Sequence, residues 1–325
     1  MPPNDSISSS QLWNKTRRAS RPNALPRRVP PVIGILILSL ACLLAAKLRA
    51  GERDAFAPEL NFPHSMTSVS MTNDGNQFWR VWVTVEDIPG LFALDTGCER
   101  TLFTKEFARK IGVLMEPHDK DGKSIPSKNG QYPSAPVMSF QIGDFRYTDF
   151  LAPVVDVTYI RKVAGTRFDG IIGMNVLGLS RCEFDWKNQR LTLDRDIHFS
   201  NQTHPGIKRM DNRLFIQSQL NGHRVLLELD TGAYSTCITR RTLRHLRVPE
   251  SNISLVNTPR IDIEVAKWLP QSRIMLDSLE FCGKTRHHEP VMLWEHDVLG
   301  MDQLQRWKLI MDARSGCVQL EEFEK

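Results

Sequence analysis

Leu-Asp-Thr-Gly occurs twice in this chain, at Leu94–Gly97 and at Leu229–Gly232, with the two aspartates 135 positions apart (230 − 95). The copies are not bare tetrapeptides. Setting Asp95–Val113 over Asp230–Val248 without a gap gives seven identities in nineteen positions, including Thr101/Thr236, Thr104/Thr239 and Arg109/Arg244. Each copy reads as a strand, a tight turn carrying a carboxylate, and a short helix with a threonine at its N-cap. A second pair lies downstream. "FDGIIGMNVL" (Phe168–Leu177) matches "HDVLGMDQL" (His296–Leu304) when Gly173 is set against Gly300, which places Met174 on Met301 and Leu177 on Leu304. Each half then closes with a strand pair, "CEFDWKNQRLTLDR" and "KLIMDARSGCVQLEE". The chain is thus an internal duplication, expected as lobes 62–198 and 206–325 joined by a linker at 199–205.

The texture between these landmarks is mainly β. "QFWRVWVTVE" alternates and is rich in aromatic and β-branched residues, and "RLFIQSQLNGHRVLLELDTG" reads as strand, Asn221-Gly222 hairpin turn and strand. "SFQIGDFRYTDFLAPVVDV" reads as two strands about Gly143-Asp144. Only "TKEFARKIGV" and "TRRTLRHLRV" have clear helical patterns.

The N-terminus is different in kind. Residues 1–28 are rich in Ser, Pro and Arg and read as a disordered basic tail. Val29–Ala46 is free of charge, somewhat short of the about 20 residues of a typical spanning helix but within its range. Lys15, Arg17, Arg18, Arg21, Arg27 and Arg28 precede it, and no acidic residue lies between Asp5 and Glu52. The expectation is a retained transmembrane signal anchor with its N-terminus in the cytoplasm, followed by a linker at 47–61 and an exported body. A cleaved signal peptide and a lipoprotein-type signal at Cys42 are the alternatives. Those six cations exceed the net charge of +5, so the rest of the chain is close to neutral. No basic stripe with interleaved aromatics points to nucleic acid as a partner. Six cysteines without a CxxC pair, one of them in the apolar run, read as buried free thiols, with one or two bridges as the alternative.

A single Asp-Thr-Gly is an ordinary turn after a strand. Two copies in register, each followed by an apolar-apolar-Gly segment, resemble the retropepsin-like and pepsin-like aspartic proteases, over about residues 65–325. The resemblance implies two acid-protease-type β-barrel lobes with a cleft between them. It makes Asp95 and Asp230 the catalytic pair, one as base for water and one as acid for the carbonyl oxygen. Two carboxyls about 3 Å apart share one proton, which splits their titrations. It also implies that Thr96 and Thr231 hydrogen-bond across the lobe interface. Gly97 and Gly232 would let the backbone approach the carboxylates, and Gly173 and Gly300 would make room for a crossing strand. The expected partner is a protein or peptide substrate, with a lipid bilayer at 29–46. Neither a cofactor nor a metal is expected, since His287-His288 lie in the charged stretch "KTRHHEP", read as a loop, without further ligands at metal-site spacing. With both half-sites in one chain, a monomer suffices. The alternative is a catalytically silent peptide-binding module on the same fold.

Three positions depart from the family pattern. Cys98 and Ala233 follow the two Asp-Thr-Gly turns, where the family's hydroxyl would stabilise the charged pair, so a pH optimum nearer neutral than pepsin's is expected. Glu228, two residues before Asp230 on one strand face, has Ala93 as its counterpart; the readings are that it raises Asp230 or touches substrate, or that it is a hydrated edge position. The flaps are expected at 118–132 and 254–268.

Overall fold

A computed structural model of the protein describes residues 54–61, 64–73, 78–113, 133–157, 166–195, 207–261 and 266–323. The basic tail, the apolar run 29–46, residues 47–53 of the linker, the first expected flap and the inter-lobe linker 199–205 lie outside the described residues. Among those described, no helix is long and apolar enough to cross a membrane.

The first half contains β1 (Glu59–Asn61), β2 (Met66–Thr72), β3 (Arg80–Val85), β4 (Ile88–Leu94), β5 (Leu102–Thr104), β6 (Ser134–Val137), β7 (Phe140–Ile142), β8 (Phe145–Thr148), β9 (Phe150–Val155), β10 (Gly170–Ile172), β11 (Arg181–Asp185) and β12 (Arg190–Asp194). The second contains β13 (Ile207–Met210), β14 (Arg213–Leu220), β15 (His223–Leu229), β16 (Cys237–Thr239), β17 (Ile253–Ile261), β18 (Ala266–Phe281), β19 (Lys284–Trp294), β20 (Val298–Leu299), β21 (Lys308–Asp312) and β22 (Cys317–Glu321). The molecule is mainly β, as the texture implies.

Alternation builds the sheets. On β3, Val81, Val83 and Val85 are buried while Trp82 between them is 58% exposed. Phe92 on β4 sits at the centre of an aromatic cluster, edge-to-face with Phe103, Phe107 and Phe140 at 5.3–5.6 Å. Two-residue turns at positive φ join the strands: Glu86-Asp87 joins β3 to β4, and Asn221-Gly222, the pair that favours such a turn, joins β14 to β15. The helices Lys105–Lys110 and Arg240–Leu246 start at Thr104 and Thr239, whose hydroxyls accept the N–H of Phe107 and Thr242, each at 3.1 Å. The first stops short of Val113 where Gly112 turns left-handed, and the second stops at left-handed Arg247.

Two local readings are corrected. Ser139–Val157 holds three strands, because Asp149 at φ 60° breaks the second run between β8 and β9. "KTRHHEP" lies in β19, not in a loop: it pairs with β18 through Leu279↔Arg286 and Ser278↔His287, with His288 at φ 56° interrupting the ladder. The expected second flap region is the β17–β18 hairpin, paired from Ile253↔Ile274 to Ile261↔Ala266.

The halves share a sheet. The closing hairpins β11–β12 and β21–β22 pair through β11 and β21, joining the second half's last strands to the first half's sheet. In that ladder Glu183 lies opposite Ile310. The offset between them, 127 (310 − 183), equals the offset between Gly173 and Gly300 (300 − 173). Each residue thus faces its own repeat equivalent, and the pseudo-two-fold axis of the duplication passes between them.

Candidate active site

Each half threads its apolar-apolar-Gly strand beside the strand that leads into Asp-Thr-Gly. β10 runs parallel to β4, with Ile171 opposite Ala93, and antiparallel to β5. β20 runs parallel to β15, with Val298 opposite Glu228, and antiparallel to β16. The N–H of Asp95 donates to Ile172 O at 3.1 Å and that of Asp230 to Leu299 O at 3.2 Å. Both aspartates therefore leave the end of a strand already fixed on both sides.

Gly173 and Gly300 adopt the same backbone, φ −96° and ψ −177°. A Cβ there would stand 2.5 Å from the Arg100 or Ser235 carbonyl carbon, a contact with main chain that nothing can relieve. Each glycine N–H donates to the threonine hydroxyl of its half, Thr101 or Thr236, at 3.1 Å. Those threonines were visible in the repeat without an assigned role. Both the N–H and the hydroxyl of Thr101 donate to Asn175 Oδ1, at 2.7 and 2.9 Å, and those of Thr236 donate to Asp302 Oδ1, at 2.8 and 2.7 Å. Asn175 and Asp302 each follow the aligned Gly-Met and close the loops from behind. Sequence reasoning passed over them, although the repeat sets them side by side.

Across the halves, Thr96 N–H donates to Thr231 Oγ1 and Thr231 N–H to Thr96 Oγ1, both at 3.0 Å. The hydroxyls then donate onward, Thr96 to Leu229 O at 2.7 Å and Thr231 to Leu94 O at 3.1 Å. All four groups are buried. This reciprocal set brings Asp95 and Asp230 together. A Cβ on Gly97 would lie 2.6–2.7 Å from the Asp230 oxygens, and one on Gly232 would lie 2.5–2.6 Å from those of Asp95. Each glycine therefore faces the opposite carboxyl, and only a hydrogen fits there.

The two carboxyls differ in their donors. Asp95 Oδ1 accepts Gly97 N–H at 3.0 Å. Asp230 Oδ1 accepts both Gly232 N–H at 2.7 Å and Ala233 N–H at 3.0 Å. Burial, the adjacent Asp230 charge and a hydrogen bond between the two side chains hold the Asp95 proton well above the carboxylate range. Burial raises Asp230 as well, but the Gly232 N–H, the bond from Asp95 and the Ala233 and Gly97 N–H groups oppose it. Two carboxyls this close share one proton, and both are held above their ordinary range, Asp95 further than Asp230. Cys98 turns its thiol to the Arg100 carbonyl at 3.0 Å. Ala233 serves the pair through its N–H alone.

Glu228 is buried on a strand paired on both sides, not a hydrated edge position, and its carboxylate takes Arg213 Nη1 at 3.1 and 3.3 Å. Arg213 Nε lies 3.4 Å from Glu99 Oε1. Glu99 belongs to the first half, so Arg213 joins the halves beside the aspartates. Burial and the Asp230 charge push Glu228 up to about 7, against the Arg213 cation. The counterpart Ala93 sits instead in an apolar cluster with Cys98, Leu102, Val155, Val157, Phe168 and Ile171. Neither carried a sequence signal: Arg213 lies outside the repeated motifs, and Glu99 lies inside the first but has Tyr234 as its counterpart. Cys98, Cys182, Cys237, Cys282 and Cys317 are free thiols. Among the described residues no group of His, Cys, Asp or Glu is placed to hold a metal ion.

Residues 81–176 match the family model described as aspartyl protease. The matched segment runs from β3 through the first Asp-Thr-Gly turn and Gly173 to the helix after it. A comparison with curated proteins gives no match. Solved structures do match; among them is the crystal structure of basic 7S globulin from soybean, at 8% identity and a TM-score of 0.44, covering 80% of this chain and 95% of that one.

Proposed function

We propose that this chain is an aspartic endopeptidase acting through Asp95 and Asp230, a reading supported by the match of residues 81–176 to the aspartyl protease family model. The carrying observation is the mutual placement of the two aspartates, with each glycine of Asp-Thr-Gly against the opposite carboxyl. Ionised Asp230 takes a proton from water held between the carboxyls, and Asp95 gives its proton to the carbonyl oxygen of the peptide. The resulting gem-diol collapses as a proton passes to the leaving nitrogen. Neither step needs a group beyond the two carboxyls and water. Both half-sites belong to one chain, so the active species is a monomer. Substrate is a protein or peptide lying in the cleft between the lobes.

The same reading places residues 29–46 in a lipid bilayer, with the basic N-terminus in the cytoplasm and the protease body on the far side. Resistance of the full chain to alkaline carbonate extraction, with the body cut by external protease only after the bilayer is opened from its far side, tests this placement.

The test of activity is digestion of a broad peptide library by the full chain between about pH 3 and pH 8. Wild type should cleave in a pepstatin-sensitive manner. Asp95→Asn and Asp230→Asn should each lose roughly a hundredfold or more. Peptide binding without cleavage by wild type would instead establish the silent binding module.

A further inference from the structure

The stretch expected to be a plain linker is fastened to the first half where its residues are described. Phe56 N–H donates to Asp54 Oδ1 at 3.0 Å and Ala57 N–H to Asp54 O at 2.9 Å, forming a turn. Leu151 N–H on β9 donates to Ala55 O at 2.7 Å. β1 then pairs with β8, Leu60 opposite Tyr147. Between these two fastenings, Phe56 reaches the back of the catalytic loop. Asn175 Nδ2 donates to Phe56 O at 2.8 Å, and the Arg100 guanidinium lies 3.7 Å from the centre of the Phe56 ring.

Both partners of Phe56 belong to the loop assembly of Asp95. Asn175 Oδ1 accepts the N–H and hydroxyl of Thr101, and Thr101 Oγ1 accepts Gly173 N–H. The Arg100 backbone abuts Gly173 and accepts the Cys98 thiol. The repeat supplies an internal control. In the second half Asp302 does the same work for Thr236 with one carboxylate oxygen. A carboxylate suffices there, whereas the first half has an amide, whose Nδ2 supplies the donor that Phe56 O takes. Arg100 likewise has Ser235 as its counterpart. The two residues that hold Phe56 are two at which the halves differ.

We propose that residues 54–61 form a strap whose Phe56 is a positioning residue for Asp95, acting through Asn175 and Arg100. The strap ties the half-site to the chain that leads back to the apolar run 29–46. Its effect on catalysis rests on the protease reading above, but its effect on the loop does not.

Two variants release the strap differently: Asn175→Asp keeps the oxygen that holds Thr101 and removes the donor to Phe56, while Phe56→Ala leaves Asn175 intact and removes the ring from Arg100. Both are made in the full chain, in wild-type and Asp95→Asn backgrounds. Amide hydrogen exchange is followed over residues 54–61 and 98–101, and kcat and KM are measured on a cleaved peptide. Expected is faster exchange in both segments in both backgrounds, with kcat down roughly threefold to tenfold and KM within twofold. Faster exchange at 54–61 with 98–101 unchanged overturns the proposal, as does an unchanged kcat in a cleaving enzyme. If wild type cleaves nothing, the protease reading fails, and the exchange at 98–101 in the two variants still decides the strap.

Discussion

Thr96 and Thr231 each give a backbone N–H to the other's hydroxyl at 3.0 Å, and each hydroxyl donates a hydrogen bond to a carbonyl of the opposite half. Four buried bonds thus lie on the pseudo-two-fold axis between the aspartates. Thr231→Ala deprives Thr96 N–H and Leu94 O of their partners in a site that water does not reach. At about 1–3 kcal/mol for a buried group left unsatisfied, the variant should lose about 2–4 kcal/mol of stability. Thr231→Ser keeps the hydroxyl and should lose less than about 1 kcal/mol. Urea unfolding of the pair checks this, and equal losses in Ser and Ala would assign the effect to the methyl group.

Gly97→Ala separates shape from charge. The added Cβ meets both Asp230 oxygens at 2.6–2.7 Å, so one carboxyl has to move while every titratable group remains. Displacements of about 1 Å in such sites cost about a hundredfold in rate. We expect kcat to fall by that order with the unfolding midpoint changed far less. Gly232→Ala should match it, because the two contacts are related by the same axis.

The repeat made the duplication legible, and with it the elements that recur: the Asp-Thr-Gly turns, the Thr104 and Thr239 caps and the crossing glycines. Each is local, a residue type required by the turn or cap in which it stands. What stayed hidden joins distant segments. Arg213 lies in no motif, yet it spans Glu228 and Glu99. Phe56 stands in a stretch with no periodicity and is placed by Asn175, more than a hundred residues on. The β11–β21 pairing was hidden for a related reason. One closing hairpin was readable in each half, but their meeting follows from the two-fold axis and from no residue in either. The Asp149 break failed as a reading because a left-handed aspartate has no signal beyond its identity.

Ala233→Ser tests the departure from the family pattern. Ala233 N–H already reaches Asp230 Oδ1 at 3.0 Å, so a hydroxyl on that residue stands close to the ionised carboxylate. A further donor to the charged form lowers the pKa at which the pair acquires its catalytic charge. The acid limb of the pH–kcat/KM profile should move to lower pH. Cys98→Ser should move it less, since the Cys98 side chain is directed to the Arg100 carbonyl. A wild-type optimum below about pH 3 would contradict the reading for both positions.

Glu228→Gln tests the third carboxylate. Glu228 stands at about 7 in the folded protein against an ordinary 4.5, mainly because it is buried and next because Asp230 is near. The folded state therefore holds a proton that the unfolded chain has released between those two values. Its favourable contribution is complete below about pH 4.5 and is lost as the pH rises to about 7. That difference, already net of what Arg213 gives the ionised form, corresponds to about 3 kcal/mol. Glutamine does not titrate, so the urea midpoint of Glu228→Gln should vary less than that of wild type from pH 4.5 to pH 7.5. The Glu228 charge also raises Asp95, whose proton the reaction needs, so the same variant should move the alkaline limb of the rate profile to lower pH. A variant whose stability and rate profiles both run parallel to wild type would show that Glu228 does not titrate with the pair.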